Sequence, residues 1–253
     1  MRYRIVLIAI LLGFSGWLKN VLDRKPLNRI SDADVWYSAT LAELYLVPVY
    51  DALPIGFDRG GSIHESNLTD EASQPYAGVT VVNDYGNMGL SLNTGAYTSI
   101  RRVNYYLRMI GTGSLTAEQV KELSAEARFL RAYFYFDLAK RYGGMPIITE
   151  PQSKDDDLET LQVVRNKEDE VYSFVLSELD AAAADLPENR DAANRNRAVK
   201  TTALALKARA ALYAASIAKF GAVQLNGLVG IPQERATFYS TEALNATKAV
   251  IES

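Results

Sequence analysis

The stretch Glu126-Ala-Arg-Phe-Leu-Arg-Ala-Tyr-Phe-Tyr-Phe-Asp-Leu-Ala-Lys-Arg-Tyr-Gly-Gly-Met-Pro146 decides the fold of this chain. Ten residues upstream, Thr116-Ala-Glu-Gln119 has capping-box spacing. The Thr116 hydroxyl can accept from the Gln119 amide while the Gln119 side chain reaches back. From there Val120, Leu123, Ala127, Leu130, Phe134 and Leu138 recur at three- and four-residue steps, one apolar stripe of a 3.6-period helix. A second stripe runs through Ala125, Phe129, Ala132, Phe136 and Ala139. A helix apolar on two sides lies between neighbours, because a single core contact needs only one stripe. Gly143 or Gly144 supplies the left-handed residue that ends it, and Pro146 prevents it from restarting.

Outward from this helix the same periodicity recurs. Thr40-Leu-Ala-Glu43 reads as another capping box, opening a helix that runs through Leu53 and stops at Pro54, with Pro48 expected to kink or split it. Residues 55–93 are rich in Gly, Ser, Asn, Asp and Thr and hold no period, and so long an irregular stretch is usually functional or mobile. A helix then begins at Thr94 or Tyr97 and carries Ile100, Asn104, Leu107 and Gly111 on one face. Asn166 is the expected cap of the next helix, with Asp169 at its third position. Val171, Val175, Leu179, Ala182 and Leu186 form its buried side, and Pro187 closes it. Val199, Ala203, Leu206, Ala210 and Tyr213 follow at helical spacing, with Ala205, Ala208 and Leu212 as a second face expected to admit a close neighbour. Thr237 to Ile251 is the last helix. Helices with alternating Ala-rich and aromatic faces predict an all-α, tetratricopeptide-like superhelix with long irregular loops and no sizeable sheet.

Composition narrows the function classes. The chain has 253 residues, enough for one large or two small domains, and its net charge of −3 gives no basic footprint for nucleic acid. With no cysteine there are no disulfides, thiolate metal sites or cysteine nucleophiles. One histidine, His64, leaves no His-rich metal site, and it sits in a Gly/Ser-rich stretch without a nucleophile elbow. Asp155, Asp156 and Asp157 lack the spacing, glycine and closing glutamate of a calcium loop and read as a solvated charge run. Asp70 and Glu71 are adjacent and point apart, which suits no carboxylate pair for glycoside hydrolysis. An enzyme is not the expected reading, and no cofactor or metal is implied.

Residues 1–16 read as a signal peptide: Arg2 and Arg4 give a positive start, and Ile5 to Phe14 form an apolar core too short to span a bilayer. Glu126 and Arg131 are five residues apart and cannot pair along one ridge, so each should bind a neighbouring helix or loop, as should Arg128. Asn104, polar on an apolar face, is expected to tie a loop backbone to its helix. Tyr133 and Tyr135 are expected in the core.

The helix from Glu126 and its Gly-Gly-x-Pro exit closely resemble the signature of the SusD/RagB family, nutrient-binding lipoproteins of the outer membrane of Bacteroidetes-type bacteria. Further segments match in order: Leu22-Asp-Arg-Lys-Pro26, Ser31-Asp-Ala-Asp-Val-Trp36, Thr69-Asp-Glu-Ala72, Tyr97-Thr-Ser-Ile-Arg-Arg-Val-Asn104 and Lys200-Thr-Thr-Ala-Leu-Ala-Leu-Lys-Ala-Arg-Ala210. The resemblance implies surface exposure at the outer membrane. It implies capture of an oligosaccharide, less often a peptide, for a SusC-like TonB-dependent transporter. Members of the family are about twice as long, so residues 17–253 resemble its N-terminal part, without the C-terminal half. The family's lipidated cysteine falls at Trp17, which has no thiol to carry a lipid anchor.

A glycan site needs aromatic faces for the axial C–H groups of a sugar and amide or carboxylate groups for its hydroxyls. Within residues 55–93 the candidates are Asp70, Tyr76, Tyr85, Asn87 and Asn93, the last standing where the family commonly places a tryptophan. The alternative from another class is a tetratricopeptide-type scaffold that binds a protein partner and no glycan.

Overall fold

The structure is a computed structural model that describes residues 32–53 and 94–253. Within them the chain is helical: α1 (Asp32–Val35), α2 (Ala39–Asp51), α3 (Thr94–Met109), α4 (Ala117–Tyr142), α5 (Leu158–Leu161), α6 (Glu168–Asp185), α7 (Lys200–Phe220) and α8 (Ala236–Ile251). A 3₁₀ turn, Gln233–Arg235, leads into α8. Extended pairing among the described residues is limited to isolated bridges of Leu225 and Asn226 with Val229.

Helix α4 is the axle. Its capping box forms as its sequence requires: the Gln119 amide donates to the Thr116 hydroxyl at 3.2 Å, and the Thr116 amide donates to the Gln119 side chain at 3.0 Å. Both apolar stripes are buried, Leu123, Ala127, Leu130, Phe134 and Leu138 on one side and Ala125, Phe129, Ala132, Phe136 and Ala139 on the other. The two faces meet α2 and α3 on one hand and α6 and α7 on the other. Each fully buried Leu or Phe here contributes about 1.5–3 kcal/mol of apolar burial. The layering then continues, because α7 packs between α6 and α8. Val171, Val175, Leu179 and Ala182 supply the inner face of α6, and Ala210, Ala211, Ala214, Ala215 and Ala218 let α7 approach closely. This succession of helices packed in layers is the expected all-α superhelix.

Local expectations fail where a side chain has a better partner. Helix α2 starts at Ala39 and is capped by Ser38, whose hydroxyl accepts from the Leu41 amide at 3.5 Å, so Thr40 lies inside the first turn. Pro48 does not split α2, which runs unbroken to Asp51. Asn166 does not cap α6. Its Oδ1 accepts the Ile147 amide at 2.9 Å, and Glu170 takes over the helix entry by accepting the Lys167 amide at 3.1 Å. Gly111 lies beyond the end of α3 at Met109. On α7 the close-packing face differs from the expected one: Leu212 is 62% exposed and Ala205 is exposed, whereas Ala211 and Ala214 are fully buried. The row of Ala203, Leu206 and Ala210 is buried as expected, but the small-residue row of Ala205, Ala208 and Leu212 is not the covered one, because the neighbouring helices set which Ala row is covered. Tyr135 lies in the core and Tyr133 is half-buried.

The paired glycines have separate tasks. Gly143 takes φ +72° and ends α4. Gly144 packs so closely that a Cβ there would lie 2.1 Å from the Asn166 carbonyl oxygen. Neither place tolerates a side chain, since the obstructing atom at Gly144 is backbone and cannot rotate away. Gly144→Ala is expected to cost about 2 kcal/mol, the scale of overpacking, read as a lowered midpoint in urea unfolding with an unchanged m-value.

Candidate functional site

The charged residues of the Glu126–Arg131 segment are structural bolts, and Arg131 among them holds a groove in place. Arg131 is 5% exposed and reaches Glu178, Asn104 and the Thr149 carbonyl at once. Its Nε donates to Glu178 of α6 at 2.8 Å, and one terminal nitrogen donates to the Asn104 side-chain oxygen of α3 at 2.8 Å. The Asn104 amide nitrogen then donates to the Ile148 carbonyl at 2.8 Å. Tyr135 grips the same residue, its hydroxyl accepting the Ile148 amide at 2.7 Å, and burial pushes that phenol up to about 12. Arg128 completes the set by donating to Glu178 at 2.8 Å. Thus Asn104, Arg128 and Arg131 act as their positions required.

These contacts lay the segment after Pro146 along α3. The result is a groove of ≈ 310 Å³ between the first turns of α3 and residues 148–152, lined by Tyr97, Thr98, Ile100, Arg101, Ile148, Glu150 and Gln152. Tyr97 spends its hydroxyl on the Pro146 carbonyl at 2.8 Å, which fixes the ring at the groove's edge. Arg101 is anchored on the Gln152 carbonyl at 2.9 Å, so its side chain is held along the wall. One aromatic ring with an arginine, a carboxylate and an amide around it can offer both contacts that a sugar needs.

Tyr97 also borders a larger and chemically different cleft of ≈ 760 Å³ beside the end of α4. Its walls are apolar, with Leu138, Met145, Ile217, Val223 and Val229. Arg165 stands at the edge, donating to the Tyr142 and Gly144 carbonyls at 2.8 Å each and thereby capping the last turn of α4. Glu168 lies within the cleft and is 4% exposed. It accepts the Gly230 amide at 2.6 Å, but burial outweighs that hydrogen bond and raises its carboxyl above the ordinary range. A raised acid favours the folded state below its unfolded pKa, and that contribution is lost as pH rises through the folded value. Glu168→Gln, which keeps an acceptor for Gly230 and removes the charge, is therefore expected to raise Tm by a few degrees at pH 8. The gain should vanish at pH 4 in thermal unfolding followed by circular dichroism.

The five sequence candidates Asp70, Tyr76, Tyr85, Asn87 and Asn93 lie outside the described residues, as do His64, Asp70 with Glu71 as a pair, Trp17 and the leader 1–16. Asn93 directly precedes Thr94, where α3 begins one turn before Tyr97. Thr98, Arg101, Glu150 and Gln152 were not singled out in the sequence. Thr98 and Arg101 lie in the family-like segment Tyr97–Asn104, and Glu150 and Gln152 follow shortly after the Gly-Gly-x-Pro exit of α4. The three consecutive aspartates form a local turn, Asp156 accepting the Ser153 amide at 2.6 Å and Asp155 pairing with Lys154 at 2.7 Å.

The molecule is thus a helical superhelix whose most specific sequence segment fixes a groove at one end of its axle helix. The family described as SusD-like, starch-binding and associating with the outer membrane matches residues 23–212, and the chain belongs to that family. A SusD-like protein of Formosa agariphila is 27% identical over 194 residues, covering 71% of this chain and 36% of the relative. One from Bacteroides ovatus is 23% identical over 196 residues, covering 74% and 35%. The chain therefore spans about a third of the length of the curated relatives it matches. Among solved structures, a SusD superfamily protein from Parabacteroides distasonis superposes with a TM-score of 0.62 at 21% identity, over 88% of this chain and 45% of the other. A laminarin-binding SusD-like protein gives 0.59 at 20% identity, over 85% and 43%. These likenesses establish the fold.

Proposed function

We propose that this chain is the scaffold part of a surface binding protein that captures an oligosaccharide and passes it to a TonB-dependent transporter in the outer membrane. Family membership over residues 23–212 carries the reading. The groove at Tyr97 supports it, because it combines an aromatic ring with polar side chains next to the point where residues 55–93 rejoin the helices. The fold is shared with a laminarin-binding SusD-like protein, which supports the reading. Binding of this kind needs no covalent step: ring stacking and hydroxyl hydrogen bonds hold the sugar, and Asp70, Tyr76, Tyr85, Asn87 and Asn93 would add contacts. The transporter, export to the cell surface and the missing anchor thiol at Trp17 are parts of the same proposal.

Titration calorimetry against a panel of α- and β-glucans and other oligosaccharides tests it. Saturable binding to at least one glycan is expected, and Tyr97→Ala should weaken it about tenfold, the scale of one lost stacking contact at a binding site. No saturable binding to any glycan, or an unchanged affinity in a folded Tyr97→Ala variant, would overturn the assignment of the groove.

A further inference from the structure

We infer that the apolar cleft beside the paired glycines is a second binding site, for a neutral and mainly apolar small molecule that donates one hydrogen bond to Glu168. The inference stands apart from the glycan reading, because the cleft and the groove touch only at Tyr97.

The cleft's chemistry selects the ligand. At ≈ 760 Å³ it is the size that takes a drug-like molecule, and its walls of Leu138, Met145, Ile217, Val223 and Val229 offer a sugar's hydroxyls few partners. Glu168 is the exception. One of its carboxylate oxygens accepts the Gly230 amide, and no lysine or arginine among the described residues forms an ion pair with it. A carboxylate this buried, with a single neutral donor, is costly to the fold unless something else completes its shell. The charged residues around the cleft are committed elsewhere. Arg165 holds two backbone carbonyls, and Lys140 and Arg141 both pair with Asp137 at 3.3 and 3.2 Å. With those cations already partnered no counter-ion is left for a carboxylate, which Glu168 also repels, and burial that disfavours the charged form of Glu168 makes it a poor counter-ion for an ammonium. A neutral alcohol or phenol on an apolar body satisfies the walls and the acceptor together.

Methionine-methyl labelling gives a local readout, since Met145 lines the cleft and Met109, at the end of α3, does not. Titration with 4-butylphenol, followed by methyl NMR, should shift Met145 saturably and leave Met109 in place. Butylbenzene, which lacks the hydroxyl, and 4-butylbenzoate should bind about tenfold more weakly or not at all. Glu168→Leu keeps the apolar wall and removes the acceptor, and it should lower the phenol's affinity about tenfold. Val223→Trp, placed at a 64% exposed wall position, should abolish the Met145 response by filling the mouth. An unresponsive Met145, equal affinities for phenol and butylbenzene, or undiminished binding in a folded Glu168→Leu variant would each overturn the inference. Glycan titration of the same variants keeps the two sites distinguishable: Glu168→Leu should leave glycan affinity unchanged.

Discussion

Glu126→Ala is expected to remove about 3–5 kcal/mol of stability, the cost of leaving buried charges without their partner. Glu126 is fully buried on α4 and receives four hydrogen bonds. Arg197 binds it through Nε at 2.8 Å and through a terminal nitrogen at 2.5 Å, Arg190 reaches it at 3.4 Å, and the Tyr50 hydroxyl of α2 donates at 2.5 Å. Tyr50 in turn accepts the Ala198 amide at 3.0 Å, while Arg190 holds the Ala198 carbonyl at 2.9 Å. A single carboxylate therefore fastens α2 and the segment before α7 to α4. Without it two guanidinium groups remain in a site built for an anion, Arg190 keeping only the Glu122 carboxylate at 3.0 Å and Arg197 only that of Glu43 at 3.2 Å, both at the rim. Set against a typical domain stability of about 5–15 kcal/mol, the loss is a large fraction of the whole. Urea unfolding measures it, and Glu126→Gln, which keeps shape and one acceptor, should lose distinctly less. A loss under about 1 kcal/mol in Glu126→Ala would show that the bolt is not where the stability lies.

Arg131→Met should cost about 3 kcal/mol and, unlike Glu126→Ala, should also impair the groove. It strands the Glu178 carboxylate and the Asn104 oxygen, both buried, although Arg128 still reaches Glu178. Asn104 and Tyr135 pin Ile148 together, and Arg131 itself reaches the Thr149 carbonyl, so in the variant the segment 148–152 is held along α3 by Tyr135 alone at that point and shifts. Replacing both partners, Arg131→Met with Glu178→Leu, should recover much of the stability, since two apolar groups leave no stranded charge. It should not recover glycan affinity, because Asn104 still lacks its orienting partner. Equal recovery of both, by urea unfolding and calorimetry, would show that Arg131 has no part in shaping the groove.

What was legible in the sequence depended on whether the partner of a residue was local. The capping box at Thr116, the two stripes of α4 and the inner face of α6 follow from spacing alone, and each is found as read. That Glu126 and Arg131 must each reach outward followed from a five-residue separation, which no helix ridge bridges. The expected cap at Thr40 failed because Ser38, two residues earlier, caps the helix, and that at Asn166 failed because its side-chain oxygen accepts the Ile147 amide, nineteen residues back in the chain. The covered face of α7 failed because an alanine-rich helix offers several equivalent rows. The groove was not legible, since Tyr97, Arg101, Glu150 and Gln152 belong to segments distant in the chain that tertiary contacts, among them those of Asn104, Arg131 and Tyr135, bring side by side.

By itself the sequence determined that this is an all-α layered scaffold of the SusD-like family, with one helix wedged between others and closed at a pair of glycines. Periodicity, caps and a left-handed stop are short-range properties, and a chain of residues carries them without knowing its neighbours. Tertiary structure alone decided which charged side chains became bolts, which alanine row was covered, and that Glu168 would face an apolar cleft with a single amide for company. Those outcomes depend on burial, and burial is a property of what packs against a residue from elsewhere in the chain.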